Sequence, residues 1–293
     1  MTSRRRARAC AGARTAERRI VSVATAVHAG LWLGVLDHHD LHAVDAAHYA
    51  NAARYLDEEH NRSGLMPWER EAFSGHFPSS GAVLVLAAGA GREMLALLDL
   101  GYDVVGYEPH PLLVSTGETL LAGRASLHAS ARDEAPAAPP GGRPFDAVVV
   151  GWSAYTLVIG SARRRALLRQ LRTLVRDDAP VLLSFFTRTP DDTRSRLVAG
   201  TAGAVRRLRG RPPVELGDDL LPNAVHRFTR AEVAAELAAA GFVLARWQPQ
   251  GPGPMDSGWA VGTARAAAGA GAASASTRRP GTSAGEDVPG AQA

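Results

Sequence analysis

The sequence predicts an α/β fold in which helices cover both faces of a mostly parallel sheet, and three observations lead to it. Short, continuously apolar segments alternate with helical patterns from Gly81 to about Ala264, as expected for strands buried on both faces. The turn Gly89–Gly91 follows the first of these segments. The last two predicted strands are joined without a helix, so the final strand should run antiparallel to the others.

Seven strands are predicted, in the segments AVLVLAA, DVVGYE, ASLHAS, FDAVVVG, APVLLSFF, FVLARWQ and GWAVGTA. Apolar residues at helical spacing predict a helix after most of them. The last helix, TRAEVAAELAAAG, should begin with a capping box, because Glu232 follows Thr229 by three residues. The strand after that helix and the terminal strand form the predicted hairpin.

The chain divides into four predicted regions. Residues 1–18 form a basic tail without apolar periodicity and are predicted to be disordered. Residues 19–77 carry apolar and aromatic residues at helical spacing and predict a helical cap. Residues 78–263 hold the sheet domain. Residues 264–293 are rich in Ala, Gly, Ser and Pro and predict a second disordered tail, because they cannot bury enough apolar surface to fold.

The charge of the chain is concentrated near its start. All 33 basic residues are arginine, and the formal net charge is +4. Residues 1–19 contain seven arginines and one acid, so they carry +6 and the remaining residues carry −2. Because the body of the protein is nearly neutral, it lacks the basic face that tracks a phosphate backbone. We expect no nucleic acid partner.

Composition also bears on the cellular compartment. Cys10 is the only cysteine, which excludes a disulfide framework and a cysteine-based zinc site and fits a reducing, cytoplasmic setting. The apolar run from Ile20 to Leu36 is interrupted by His28, and it is shorter than the roughly 20 apolar residues that span a membrane. We therefore expect a cytoplasmic protein with no membrane partner.

The stretch VLVLAAGAGREM predicts a strand, a turn and the start of a helix. Glycines in such a turn let the backbone approach a ligand closely, and the amides of the next helix point the same way. A P-loop is excluded, since the chain has no lysine. The dinucleotide fingerprint needs a third glycine where Met94 stands, so a nicotinamide or flavin site is disfavoured.

Glu108 ends the second predicted strand, 19 residues after Gly89. A carboxylate at this position can accept hydrogen bonds from both hydroxyls of a ribose, which predicts an adenosine-containing ligand. The alternative is an exposed acid at a strand end with no ligand.

With these motifs the chain resembles the class I S-adenosylmethionine-dependent methyltransferases over about residues 80–263. The glycine motif is VLVLAAGAGRE, the acidic motif GYEP and the fourth-strand motif FDAVVVGWSAYTLV; HRFTRAEVAAELAAAGFVLARWQ is similar to the family's penultimate helix and next strand. The resemblance implies a Rossmann-like fold and S-adenosylmethionine as cofactor. The implied cofactor-binding residues are Ala87, Ala88, Gly89, Ala90, Gly91, Glu108, Pro109, Ser130, Asp133, Gly151 and Trp152.

Two positions depart from the family pattern. Val85 stands where an acid usually helps to hold the ammonium group of the cofactor, and Ala87 stands where glycine is common. Glu69 in GLMPWER is a candidate replacement for the missing acid, because a helical cap in this family often folds over the cofactor. The alternative is an ordinary surface glutamate.

The acceptor side is harder to predict, because methyl transfer depends mainly on proximity and alignment. Tyr49, Trp68 and Tyr155 are candidate substrate-binding residues, and His226 is a candidate base. The Asp/Asn-Pro-Pro-Tyr motif and the cysteine pair of enzymes that methylate nucleic acid bases are absent. We therefore expect a small-molecule oxygen or nitrogen acceptor, and we make no prediction of the oligomeric state.

No metal site is predicted. His38 and His42 are spaced i,i+4, which can bind a metal on a helix. The sequence fixes no third ligand, and a solvated helix start explains these residues equally well.

Two other functions stay open. An NAD(P)-dependent oxidoreductase with a Rossmann domain is one, although Met94 and the terminal hairpin argue against it. A non-catalytic protein that binds an adenosine ligand is the other, because Val85 and Ala87 could weaken cofactor binding.

Overall fold

The computed structural model of the chain describes residues 3–51, 53–131, 133–138, 140–253 and 256–266. Most of the C-terminal tail that was predicted to be disordered, from residue 267 on, lies outside the described residues. The strands are β1 Ala82–Leu86, β2 Asp103–Glu108, β3 Ser126–Ala129, β4 Ala147–Val150, β5 Pro180–Thr187, β6 Asp218–Leu220, β7 Ala224–Phe228, β8 Phe242–Gln248 and β9 Gly258–Ala264.

The helices fall into an N-terminal group and a group that alternates with the strands. They are α1 Ser3–Val35, α2 His38–Ala50, α3 Ala53–Leu56, α4 Glu58–Asn61, α5 Pro67–His76, α6 Arg92–Asp99, α7 Pro111–Leu121, α8 Ser161–Leu174, α9 Thr193–Leu208 and α10 Arg230–Ala239. Among the described residues, no helix combines the length and the hydropathy needed to cross a bilayer.

The sheet is mostly parallel, as predicted. Strands β3, β2, β1, β4 and β5 are parallel neighbours in that order. β9 then pairs antiparallel with β5 and with β8, which confirms the antiparallel terminal strand. β8 and β9 are joined without a helix, and neighbouring strands with such a short connection pair antiparallel, because a parallel pair needs a longer crossover.

The sheet has two strands more than the predicted seven. β6 and β7 form an antiparallel hairpin, and β7 pairs in parallel with the end of β5 at Phe186 and Thr187. The first six residues of β5 pair with β9 instead. β5 is therefore long enough to hold two partners on one side. The sequence did not reveal β7, because its segment AVHRF directly precedes a capped helix.

Each face of the sheet is covered by its own apolar layer. Val85 of β1 packs in one layer with Met94 of α6, whereas Leu84 of β1 packs in the other with Leu168 of α8. Alternate residues of a strand point to opposite faces, so a strand buried on both faces must be apolar at every position. This explains the continuous apolar run in β1.

Met94 fits between α6 and the sheet because the residue opposite it on β2, Gly106, has no side chain. Met94 is fully buried, and a Cβ at Gly106 of β2 would lie 2.3 Å from its sulfur atom. The close packing that a third glycine in the turn would provide is therefore achieved with the small residue on β2.

Helix α1 begins at Ser3, so residues 3–18 are helical rather than disordered. Alanine and arginine dominate this stretch, and both favour helices. The second half of α1 packs on α9 through Ala26, Ala29 and Leu33. Gly30 permits close approach, since a Cβ there would lie 2.7 Å from the Val198 carbonyl oxygen. The helical cap thus extends further towards the N-terminus than predicted.

Candidate active site

A cavity that is partly open to solvent lies at the carboxyl ends of β1, β2 and β4. This is the edge at which open parallel sheets bind ligands. Its described lining residues are Tyr49, Tyr55, His60, Asn61, Leu86, Ala87, Ala88, Gly89, Ala90, Arg92, Glu93, Glu108, Pro109, His110, Leu113, Ser130, Ala131, Asp133, Glu134, Val150, Trp152, Ala154, Leu157, Val158 and Leu167.

The turn between β1 and α6 forms the floor of this cavity. Ala87, Gly89 and Gly91 all have positive φ, at 49°, 57° and 89°. The amide of Ala88 donates to the Tyr107 carbonyl at 3.1 Å, which ties the turn to β2. A positive φ costs a residue with a Cβ about 1–2 kcal/mol. The positive φ of Ala87 therefore shows that the backbone at this position favours glycine.

Glu108 links the turn to the end of β2. Its carboxylate is 5% exposed and accepts from the Gly89 amide at 2.9 Å and from the His110 amide at 2.9 Å. These bonds fix the carboxylate at the cavity wall. The alternative of an exposed acid without neighbours therefore does not describe Glu108, and the position expected for a ribose-binding carboxylate is occupied.

The loop after β3 forms the next wall. Ser130 donates its amide to the Glu108 carbonyl at 3.1 Å, and Asp133 lies 3.9 Å from the Nε2 atom of His42. Both line the cavity. His110 also faces this part, and its buried Nδ1 atom has no hydrogen-bond partner among the described residues.

The opposite wall is aromatic and comes largely from the cap. Tyr55 and His60 lie 6.4 Å and 6.2 Å from Trp152, measured between ring centroids, and Tyr49 lies 5.4 Å from Tyr55. Burial, with smaller contributions from Arg54 and Arg92, lowers the pKa of His60 below its usual 6.5. This shift favours the neutral imidazole, which is the form that can accept a proton.

Three charged side chains next to the glycine turn form a buried group, Glu69–Arg92–Glu93. The Arg92 guanidinium donates to both carboxylate oxygens of Glu69 at 2.7 and 2.6 Å and to Oε1 of Glu93 at 2.7 Å. Burial raises the pKa of Glu69, and Arg92 acts against this shift. The Met66 amide also donates to Glu69 at 2.6 Å. Donors on both oxygens keep Glu69 a carboxylate.

Five predicted site residues do not line the cavity. Gly91 caps α6, and Gly151 is needed because a Cβ there would lie 2.3 Å from the Ala87 carbonyl oxygen. Trp68 packs against the apolar layer that contains Met94. Tyr155 is fully buried and His226 is 1% exposed, so neither hydroxyl nor imidazole reaches a ligand in this cavity.

His226 has a partner of its own. Its Nδ1 atom lies 2.8 Å from Oδ1 of Asp218 on the neighbouring strand β6, while its Nε2 atom has no partner among the described residues. From the sequence, His226 was expected in the segment that precedes α10. In the structure it lies within β7 and is buried. The geometry therefore does not favour the predicted base role.

The histidine pair on α2 gains a possible third ligand. Ligand atoms of His38, His42 and Asp133 lie within 4.8 Å of one another. However, the Arg163 guanidinium contacts the His38 imidazole, and a fixed cation at that ring opposes the binding of a metal ion. We assign no metal to this cluster.

No protein-family model and no curated protein sequence matches the chain. Solved structures do match. A SAM-dependent methyltransferase from Methanosarcina mazei superposes with a TM-score of 0.55 and 15% identity, over 69% of this chain and 99% of that chain. CalS10, an amino pentose methyltransferase from Micromonospora echinaspora, superposes with a TM-score of 0.48 and 19% identity, over 73% of this chain and 95% of that chain. The glycopeptide N-methyltransferase MtfA superposes with a TM-score of 0.48 and 21% identity, over 67% of this chain and 87% of that chain.

The first of these matches has a TM-score above 0.5 and covers nearly all of that methyltransferase, and the strand order in the present chain is β3-β2-β1-β4-β5-β9-β8. The chain has the class I methyltransferase fold. At 15% identity the likeness extends to the fold alone. The β6–β7 hairpin lies beyond the point at which β9 ends on β5.

Within the methyltransferase fold, the acid predicted to replace Val85 is not at the cavity. Glu69 is 2% exposed and bonded to Arg92, whereas Glu93 lines the cavity directly. The lining residues that sequence analysis did not predict include four with titratable or charged side chains next to the turn or in the aromatic wall, namely His60, Arg92, Glu93 and His110. A signal existed for two of them, because Arg92 and Glu93 immediately follow the glycine turn and must lie at the start of α6.

Proposed function

We propose that the protein is a methyltransferase that uses S-adenosylmethionine and methylates an oxygen or nitrogen of a small molecule. One observation carries this proposal: the Glu108 carboxylate is hydrogen-bonded to the Gly89 amide at 2.9 Å within a single cavity. A glycine turn and an acid at the end of the second strand are thereby brought together, which suits a ligand with a ribose.

The residues present fit this cofactor. Glu108 can take the ribose hydroxyls, because carboxylate oxygens accept more than one hydrogen bond. Ser130 and Asp133 border the adenine side, and the turn Ala87–Gly91 borders the amino-acid side. When bound, the cofactor supplies a methyl group carried on a sulfonium. The protein contributes orientation and exclusion of water from the reacting atoms.

The acceptor belongs on the aromatic side of the cavity. Tyr49, Tyr55, His60 and Trp152 form a wall that suits the flat or apolar part of a small molecule. A neutral His60 can take the proton that an acceptor hydroxyl or ammonium loses. Of the predicted substrate-binding residues, only Tyr49 keeps that role in this proposal.

The charges around the cavity argue against a nucleic acid acceptor. Four acids, Glu93, Glu108, Asp133 and Glu134, face one arginine, Arg92, among its described lining residues. An acidic rim repels phosphates and attracts cations. A cationic cofactor and an uncharged or basic small molecule fit this field. A cytoplasmic location, which the single exposed Cys10 favours, completes the proposal.

Calorimetric titration of the full chain with S-adenosylmethionine, S-adenosylhomocysteine and NADH tests the cofactor. We expect micromolar binding of the two sulfur ligands alone. Glu108→Ala should weaken their binding more than about tenfold, or about 1.4 kcal/mol, because it removes the ribose-binding carboxylate. Glu118→Ala, a matched change on the exposed face of α7, is the control and should leave affinity unchanged.

Other outcomes would point to the alternatives. Binding of NADH alone would favour an oxidoreductase, and unchanged affinity in Glu108→Ala would remove the ribose assignment. Tight binding of S-adenosylmethionine with no methylated product from a broad panel of amines, phenols and sugars would favour a non-catalytic binding protein.

A further inference from the structure

Val85, where an acid is usual, is fully buried among apolar residues. It offers nothing to the ammonium group of an amino-acid ligand. A cofactor bound over the glycine turn therefore finds no acid at this position, and its ammonium group must be bound by other acceptors. The following inference rests on the proposed function and concerns one such acceptor.

Glu93 has the geometry of such an acceptor. It is the second residue of α6, it is 5% exposed, and it lines the cavity. Its Oε1 atom accepts from Arg92 at 2.7 Å and from the Trp152 amide at 3.2 Å. Its Oε2 atom makes no hydrogen bond to any described residue. One oxygen is thus held in place by the protein, while the other is available to a ligand.

The surrounding group carries an excess of formal negative charge. Arg92 brings one positive charge, whereas Glu69 and Glu93 bring two negative charges, and all three side chains are at most 6% exposed. A buried charge without a partner is strongly unfavourable. The start of α6 offsets part of the excess negative charge, because helix N-termini carry a partial positive charge. A ligand ammonium at Oε2 of Glu93 would complete the neutralisation.

We propose that Oε2 of Glu93 binds the α-ammonium group of the cofactor's amino-acid part, and that Arg92 and Glu69 hold Glu93 in the position to do so. The acid has moved from β1 to the helix that follows it. Val85 can then be an ordinary core residue without loss of cofactor binding. Glu93 is the ligand-contacting residue, and Glu69 is a positioning residue.

The test compares two ligands that differ in this ammonium group. S-adenosylhomocysteine carries it, while its desamino analogue lacks only the amino group and keeps the carboxylate and the adenosine. Each is titrated calorimetrically into the wild-type protein, Glu93→Gln and Glu69→Gln. We expect the wild type to bind S-adenosylhomocysteine at least about tenfold more tightly than the desamino analogue. In Glu93→Gln this preference should fall close to one.

The ratio of the two affinities separates a lost contact from a damaged fold. Partial unfolding lowers both affinities by the same factor, so it leaves the ratio unchanged. Glu69→Gln should lower the ratio less than Glu93→Gln, since it only loosens Arg92. Glu236→Gln is the matched control, because Glu236 is also a buried partner of an arginine but does not line the cavity. Its ratio should equal that of the wild type.

Two results would overturn the proposal, and they are distinguishable. If the wild type binds S-adenosylhomocysteine and Glu93→Gln keeps the full preference, Glu93 does not bind the ammonium and the proposed function stands. If the wild type binds neither ligand, the proposed function itself fails and this inference fails with it.

Discussion

Among the described residues, Arg92 and Arg164 are buried arginines that each lie between two glutamates. Arg92 bridges a pair beside the glycine turn, and Arg164 of α8 bridges Glu215 and Glu236 behind the sheet. Both guanidinium groups are almost fully buried. By composition the two groups are the same, yet only the first lies at the cavity.

The two groups differ in how many of their carboxylate oxygens accept a hydrogen bond. Oε1 of Glu236 accepts from Arg164 at 2.8 Å, and Oε2 accepts from the Tyr155 hydroxyl at 2.7 Å. Both oxygens of Glu215 are also bonded, one to the Ser161 amide and the other to Arg164. In the Arg92 group, by contrast, Oε2 of Glu93 has no bond to a described residue. A saturated group stabilises the fold, whereas an unsaturated one can bind a ligand.

The largest effect expected from this comparison is a loss of stability in the variant Arg164→Met. Removing one partner of a buried ion pair leaves the other charged and unpaired, so the free energy of unfolding should fall by about 3–5 kcal/mol. The preference for S-adenosylhomocysteine over its desamino analogue should not change. Urea unfolding and calorimetry at low temperature measure the two quantities.

Arg92→Met is the matched variant and should lose both stability and the ligand preference, because Arg92 holds Glu93. The proposed difference between the two groups would be wrong if Arg164→Met lowered the preference for S-adenosylhomocysteine over its desamino analogue as much as Arg92→Met does. In that case the two groups would act as one unit.

A medium effect is expected in Tyr155→Phe. This change removes the hydroxyl that donates to Glu236, and a hydrogen bond to a charged group contributes about 1.5–3 kcal/mol. Unfolding in urea should show a loss of that order, and the affinity for cofactor and acceptor should stay as in the wild type. A change in the acceptor KM with unchanged stability would restore the predicted role of Tyr155 in substrate binding.

The smallest effect concerns acid stability, in Glu215→Gln. Burial acts to raise the pKa of Glu215, but the Ser161 amide and Arg164 outweigh it and lower the pKa from 4.5 to about 2. The folded state therefore gains stability from this ionised group above about pH 4.5 and loses it as the pH falls towards 2.

Glu215→Gln should reduce this loss of stability between pH 4.5 and 2.5. Because about a third of the side chain is exposed, solvent screens the interaction and the difference should be at most about 1 kcal/mol. Urea unfolding at several pH values measures it, with Glu118→Gln as an exposed control. An equal acid sensitivity in wild type and Glu215→Gln would show that Glu215 adds no stability to its group.

The sequence alone was enough to predict seven of the nine strands and the turn at the floor of the cavity. Apolar periodicity reveals strands and helices, and the carboxyl ends of parallel strands meet at one edge, so Gly89 and Glu108 had to lie near each other. The antiparallel terminal strand followed from the missing helix between β8 and β9. All of these depend on short stretches of chain and on their order, which a sequence displays directly.

Tertiary structure decided which side chains face the cavity. The sequence pointed to Glu69, but Arg92, 23 residues from Glu69, binds both oxygens of that carboxylate and leaves an oxygen of Glu93 exposed to the cavity. Tyr155 turns inward because its partner Glu236 lies 81 residues further on. Such outcomes depend on contacts between distant segments and on side-chain direction, and local periodicity carries no information about either.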